Sequence, residues 1–166
     1  MCPLPNPHGK GTTVPHDFRT SKMLNGSRGA KRVTKTAGAA TLTREESGAL
    51  LVFNNATGFT FTLPPAETGL WFDVIVNTTC TSGVHRVACA SGDFFVGTIL
   101  QGTDSTFTQA ARTADGSTHL AWEGNGGTTG GIIGDFLHIV AISDTQWAVW
   151  GQNTATGTEA TPWKTS

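Results

Sequence analysis

From Thr41 onward, short segments suited to β-strands recur about every 8–14 residues, with turn residues between them. Some alternate apolar and polar side chains, as Phe59–Leu63 does, and others are apolar throughout, as Ala49–Phe53 is. No segment longer than about ten residues has apolar side chains at helical spacing. This pattern predicts an all-β domain, an antiparallel β-sandwich or jelly-roll-like fold. The predicted strands are Thr41–Glu45, Ala49–Phe53, Phe59–Leu63, Leu70–Val76, Val84–Ala88, Phe94–Leu100, Ser117–Glu123, Gly134–Ile142 and Gln146–Gly151.

The composition favours a folded β protein over a disordered one. Charged residues make up 14% of the chain, against about 25% in typical domains, and 21 glycines supply turns. The 5 Trp and 9 Phe residues predict a hydrophobic core. No run of about 18 apolar residues is present, so we predict no membrane span. The opening residues MCPLPNPHGKG lack the apolar core of a secretory signal peptide, so we expect none.

Charge divides the chain into two parts. Residues 1–36 contain seven cations and one acid, net +6, whereas residues 37–166 contain four cations and eleven acids, net −7. Four of the seven prolines lie before residue 16, among few large apolar side chains. We therefore predict an extended basic N-terminal arm over residues 1–38. A folded domain over 39–166 follows, with a Thr-rich tail from Asn153 to Ser166.

The arm is predicted to bind an acidic protein surface, either its own domain, another protein or a sister subunit, because its charge is opposite to that of the domain. A disordered basic tail is the plainest alternative. Nucleic acid is disfavoured, because the cations are widely spaced and only one aromatic residue accompanies them. The candidate partner-binding residues are Phe18, Arg19, Lys22, Arg28, Lys31, Arg32 and Lys35.

The sequence contains little that points to catalysis. The five histidines are scattered, without the paired spacing of a metal site, and neither a G-x-S-x-G elbow nor a phosphate-binding loop occurs. His138 is predicted to be a hydrogen-bonded sheet residue, with a metal on a symmetry axis as the alternative. We predict no enzymatic activity, no metal and no cofactor. The aspartates Asp93, Asp104, Asp115, Asp135 and Asp144 adjoin Gly or Ser and are predicted to form turns.

The remaining candidate residues are aromatic or contain sulfur. The five tryptophans are predicted to pack in the core or at an interface, and the absence of Tyr weakens a sugar-binding interpretation. Cys80 and Cys89 flank a predicted turn and strand and could face each other. The odd cysteine count, with Cys2 in the arm, and the expected lack of a signal peptide favour reduced thiols.

Two stretches resemble a pattern common in virion proteins of tailed bacteriophages. The first runs from Leu42 to Thr79, LTREESGALLVFNNATGFTFTLPPAETGLWFDVIVNTT, and the second is the closing GDFLHIVAISDTQWAVWG. Together they cover about a third of the chain. In the first, the resemblance is carried by Ser47, Gly48, Asn54, Gly58, Phe59, Leu63, Pro64, Gly69, Leu70, Phe72 and Val76. In the second, it is carried by Gly134, Asp135, Trp147, Val149 and Gly151.

Head decoration (cement) proteins and parts of tail fibres belong to this group. The resemblance implies a small, non-enzymatic β domain, usually a homotrimer, on the outer capsid surface where major capsid protein subunits meet. It also implies assembly in the host bacterial cytoplasm. We therefore expect a capsid decoration protein that stabilises the junctions between coat subunits. The alternatives are a tail-fibre or spike module that binds a host-surface glycan, and a bacterial carbohydrate-binding or hydrolytic domain, which would need a secretion signal.

Overall fold

The computed structural model describes residues 34–36, 38–103 and 109–166, and these form two packed β-sheets. The seven-stranded sheet has the order β1-β3-β5-β10-β11-β7-β8, and the five-stranded sheet has the order β12-β9-β6-β4-β2. A β-sandwich is therefore confirmed. In chain order the strands are β1 Thr34–Lys35, β2 Ala40–Thr41, β3 Leu50–Phe53, β4 Thr60–Thr62, β5 Trp71–Val76, β6 His85–Ala88, β7 Phe94–Thr103, β8 Gln109–Asp115, β9 Ala121–Gly124, β10 Phe136–Ala141, β11 Gln146–Ala155 and β12 Trp163–Lys164.

The first six strands alternate between the two sheets. Strands β1, β3 and β5 are parallel neighbours in the seven-stranded sheet. Strands β2, β4 and β6 are parallel neighbours in the five-stranded sheet. The chain thus winds as a flattened coil, in which the crossover between two parallel strands is itself a strand of the opposite sheet.

Both sheets are mixed, which corrects the expectation of antiparallel strands. Five of the ten strand pairs in the described part of the chain are parallel, including the ten-residue pair of β7 with β11. Parallel neighbours need a long crossover, usually a helix. No helical pattern was present, so the sequence favoured hairpins. Among the first six strands, a strand of the other sheet serves as each crossover.

The core fills the space between the sheets. In β5 the burial alternates along the strand, so that Phe72, Val74 and Val76 face inward while Trp71, Asp73 and Ile75 face outward. Aromatic rings join the two layers, since the Phe53 ring centroid lies 5.1 Å from that of Phe61. Near the other end, the centroid of Phe95 lies 5.7 Å from that of Trp163.

Several predicted segments differ from the observed strands. In the predicted strand Thr41–Glu45, only Thr41 is in a strand, and a 3-10 helix, Arg44–Glu46, follows. Asp115 accepts backbone hydrogen bonds from Ser117 and Thr118, so the predicted strand Ser117–Glu123 begins only at Ala121. The predicted tail is part of the fold, because β11 continues to Ala155 and β12 pairs with β9. Strand β8 was not predicted.

The N-terminal boundary of the fold lies within the predicted arm. Thr34 and Lys35 pair in parallel with Leu50 and Leu51 at the edge of the seven-stranded sheet. Two residues of the proposed arm are therefore part of the sheet, while residues 1–33 lie outside the described part of the chain. Among the described residues there is no helix long and apolar enough to cross a membrane.

Candidate functional site

Six of the seven residues proposed for partner binding lie outside the described residues. They are Phe18, Arg19, Lys22, Arg28, Lys31 and Arg32. The seventh, Lys35, forms an ion pair with Glu46 of the 3-10 helix. This ion pair and the backbone N–H of Thr43 lower the pKa of Glu46 below its ordinary value. Lys35 therefore contributes to fixing β1 on the domain.

Three of the candidate aspartates bind backbone amides. Asp93 is buried and accepts a hydrogen bond from Ala66 N at 2.7 Å. Asp135 accepts hydrogen bonds from Gly131 N and Ile132 N through Oδ2 and from Thr154 N through Oδ1. Burial raises the pKa of Asp135 above its usual value, although these three donors oppose the shift. The predicted role in turns is confirmed for Asp135 and Asp115, which bind amides within four residues, whereas Asp93 instead binds a segment 27 residues away. Asp104 lies outside the described residues.

Cys80 is a buried free thiol, and Cys89 is a partly buried one. Burial raises the pKa of both, and the nearby Asp93 carboxylate adds to the effect on Cys89. A thiol is nucleophilic only as its thiolate. Both groups are therefore protonated at neutral pH and poorly suited to nucleophilic chemistry.

The histidines occupy three separate environments in the described chain. His85 is fully buried, stacks on Phe53 at 4.5 Å between ring centroids and hydrogen-bonds Thr78 O through Nε2 at 2.8 Å. His119 contacts Asp115 through Nδ1 at 3.1 Å. His138 pairs with Asp73 on the outer face of the seven-stranded sheet. No group of three His, Cys, Asp or Glu side chains suited to a metal ion occurs among the described residues.

The outer face of the seven-stranded sheet brings together one acidic side chain and three aromatic rings from β5, β10 and β11. Strand register places Asp73 of β5 beside His138 of β10, and His138 beside Trp150 of β11. The His138 ring centroid lies 4.5 Å from that of Trp150 and 5.9 Å from that of Trp71. The three rings form an aromatic strip across adjacent strands.

A shallow groove of about 610 Å³ is lined by two members of this strip, His138 and Trp150. Its lining combines the Asp73–His138 pair with apolar side chains, among them Leu50, Ile75 and Phe136. Trp150 is 49% exposed and Phe136 is 45% exposed, which is high for large apolar side chains. We refer to the aromatic strip, the Asp73–His138 pair and these lining residues as the outer groove.

The Asp73–His138 pair fixes the imidazole in one orientation. The carboxylate accepts from Nδ1, so in the neutral ring Nδ1 carries the proton and Nε2 is an acceptor. In the sheet the flanking neighbours of His138 are Asp73 and Trp150, neither of which is a hydroxyl or thiol nucleophile. The pair presents an oriented imidazole and a carboxylate to the groove described above.

Sequence reasoning missed the outer groove although its parts were visible. His138 was correctly predicted as a hydrogen-bonded sheet histidine. Trp122, Trp147 and Trp163 are buried in the core, as expected. Trp150 instead faces outward. Trp147 and Trp150 are three positions apart in one predicted strand, so they point to opposite faces of the sheet. Only the register of β5, β10 and β11 brings the residues of the groove together.

The sequence matches no protein-family model and no curated protein.

Proposed function

We propose that this protein is a structural component of a phage virion, a head decoration protein that binds the outer surface of the assembled capsid as a homotrimer and stabilises the junctions between coat subunits. The proposal draws on the resemblance of Leu42–Thr79 and of the closing segment to virion proteins. Its ligand is a protein surface, the major capsid protein, and it needs neither a metal nor a cofactor.

One observation carries the proposal. Residues 1–33 contain six cations and one acid, and they immediately precede β1, which is fixed at the sheet edge by pairing with β3 and by the Lys35–Glu46 ion pair. A concentrated positive charge is thus attached to an acidic β-sandwich. This combination suits attachment to an acidic partner while the domain remains outside as a rigid body.

Stabilisation of the capsid then follows from mass action. A ligand that binds only the assembled shell shifts the equilibrium away from disassembly, because separate coat subunits lack the composite site. Three arms joined in one trimer raise the effective concentration of each at the surface. Individually weak contacts from Arg28, Lys31 and Arg32 to coat carboxylates are then sufficient.

Co-sedimentation with undecorated heads of the phage that encodes the protein tests the proposal. The Arg28→Ser, Arg32→Ser double variant should lose most shell binding. The matched control Arg44→Ser, Lys164→Ser removes the same charge from the folded domain and should bind as the wild type does. If both variants bind shells as well as the wild type does, the arm does not form the shell contact. If the wild-type protein does not bind shells but binds host cells, the alternative of a tail-fibre adhesion module is favoured instead.

A further inference from the structure

We propose that the outer groove binds a saccharide, with a neutral sugar ring stacked on the indole of Trp150 and its hydroxyls hydrogen-bonded to the Asp73–His138 pair. This inference goes beyond the proposed function, since capsid attachment is assigned to the arm. It depends only on the described residues of the seven-stranded sheet.

The aromatic part of the groove is a preformed platform. Trp150 is 49% exposed, and its ring packs against His138, which in turn lies near Trp71. Because β5, β10 and β11 are neighbouring strands in the middle of the sheet, these rings are held by a continuous hydrogen-bonded ladder. A large planar side chain held in this way offers contact area at low entropic cost.

The polar part of the groove matches hydroxyl groups. The side chains of Asp73 and His138 are 28% and 31% exposed, so both are reached from solvent while partly shielded by the flanking rings. Carboxylate oxygens accept hydrogen bonds, and the Asp73 contact leaves Nε2 of the neutral His138 ring as an acceptor. Sugar hydroxyls supply the matching donors.

The same groups argue against an apolar partner as occupant. Such a partner would cover a charged or strongly polar pair with apolar surface, and removal from water without new hydrogen bonds is unfavourable. A saccharide places C–H groups over Trp150, Phe136 and Ile75 and hydroxyls over the pair. The groove volume of about 610 Å³ lies in the range of small-ligand sites.

Titration of the full-length protein tests the proposal, with tryptophan fluorescence and calorimetry as readouts. The probes are four neutral disaccharides: maltose, cellobiose, lactose and diacetylchitobiose. We expect at least one to bind with a Kd of about 1 mM or tighter. Trp150→Ala should raise that Kd about tenfold or more, and Trp150→Phe should retain part of the affinity. Asp73→Asn should weaken binding, because the carboxylate that fixes the His138 ring is lost.

Leu100→Ala is the matched control. Leu100 is 46% exposed on the same face, in β7, opposite Gln152 of β11, and it does not line the groove. Its replacement should leave the Kd unchanged. Failure of all four sugars to bind, or binding that is indifferent to Trp150→Ala, would overturn the proposal. If no sugar binds and both alanine variants lower the mass by light scattering, the face is an interface between copies.

The two proposals fail separately. Trp150→Ala should co-sediment with shells as the wild type does, because the groove is not assigned to capsid attachment. If the protein binds a disaccharide but no shell, the saccharide proposal stands and the capsid decoration proposal fails. If Trp150→Ala loses shell binding and the wild type binds no sugar, the outer groove contacts the capsid and does not bind a saccharide.

Discussion

Asp135 shows how one side chain holds several segments in place. Its carboxylate lies at the start of β10 and binds the end of the glycine-rich loop at Gly131, the following turn at Ile132, and β11 at Thr154. Asp135→Asn replaces one acceptor oxygen by an amide donor, which leaves one backbone N–H facing a donor. We expect a loss of about 2 kcal/mol in the free energy of unfolding, measured by urea denaturation. The exposed Asp144→Asn should lose much less, and equal losses would contradict this role.

His85 predicts a pH dependence of stability. Burial lowers its pKa, so the folded state holds the neutral ring, whereas the unfolded chain takes up a proton near pH 6.5. Below that value the unfolded state binds more protons, and the free energy of unfolding falls as the pH falls through the folded pKa. The limiting slope is about 1.4 kcal/mol per pH unit. Above pH 6.5 this contribution is complete.

The variant His85→Gln isolates this contribution. Glutamine retains a donor for Thr78 O and does not titrate. The stability difference between wild type and variant, measured by urea unfolding at pH 7.5, 6.5 and 5.5, should shift in favour of the variant as the pH falls. A difference that stays constant over this range would show that His85 does not carry the effect.

At the level of elements, the parallel pair of β7 and β11 is the longest in the described chain and depends on one close approach. Gly97 has a φ of 133°, and a Cβ placed there would lie 2.2 Å from Val149 O. Gly97→Ala is therefore expected to destabilise the fold by about 3 kcal/mol.

A second glycine in β7 provides the control for Gly97→Ala. At Gly102 a Cβ would lie no closer than 3.9 Å to a neighbouring atom, so Gly102→Ala should change the free energy of unfolding by less than about 1 kcal/mol. Chemical denaturation of the two variants measures the contrast. Similar stabilities would show that the β7–β11 contact can relax around the added methyl group.

The sequence was informative about turns and uninformative about pairing. The residues that carry the virion-protein resemblance include Gly48, Gly58 and Gly69, all at positive φ, where the coil passes from one strand to the next. The pattern of Asn54 to Gly58 correctly indicated a turn, in which Asn55 Oδ1 accepts from Thr57 N. A turn is determined by a few consecutive residues, so it can be predicted from the sequence. Which strand lies beside which depends on contacts distant in the chain, so the coil and strand β8 were not predicted.

The outer groove illustrates the same limit at a site. Asp73 and His138 are 65 residues apart and become neighbours only because β10 pairs with β5. Alternation within each strand indicates which residues share a face, but not which faces meet. The available signal was a Trp on the outer side of a predicted strand. In the sequence such a Trp cannot be distinguished from a core Trp until the order of the strands is known.

At the scale of the whole molecule, the proposed function predicts a trimer. Light scattering of the purified protein should give about 52 kDa, three times the 17.4 kDa chain. The Arg28→Ser, Arg32→Ser variant should keep this mass while losing shell binding, because the arm is proposed to contact the capsid. A monomer at every concentration would remove the effective-concentration argument and leave single arms too weak to hold the domain on the shell.

The salt dependence of binding distinguishes the two proposed binding surfaces, and both can be measured on one preparation of the protein. Arm contacts to coat acids are ionic, and the screening length shortens from about 10 Å at 0.1 M salt to about 3 Å at 1 M, so shell binding should fall steeply over that range. A neutral sugar on Trp150 is bound by stacking and short hydrogen bonds, so its Kd should change by less than about twofold. Shell binding that persists at 1 M salt would mean that the capsid contact is apolar. The basic charge of residues 1–33 would then not be its basis.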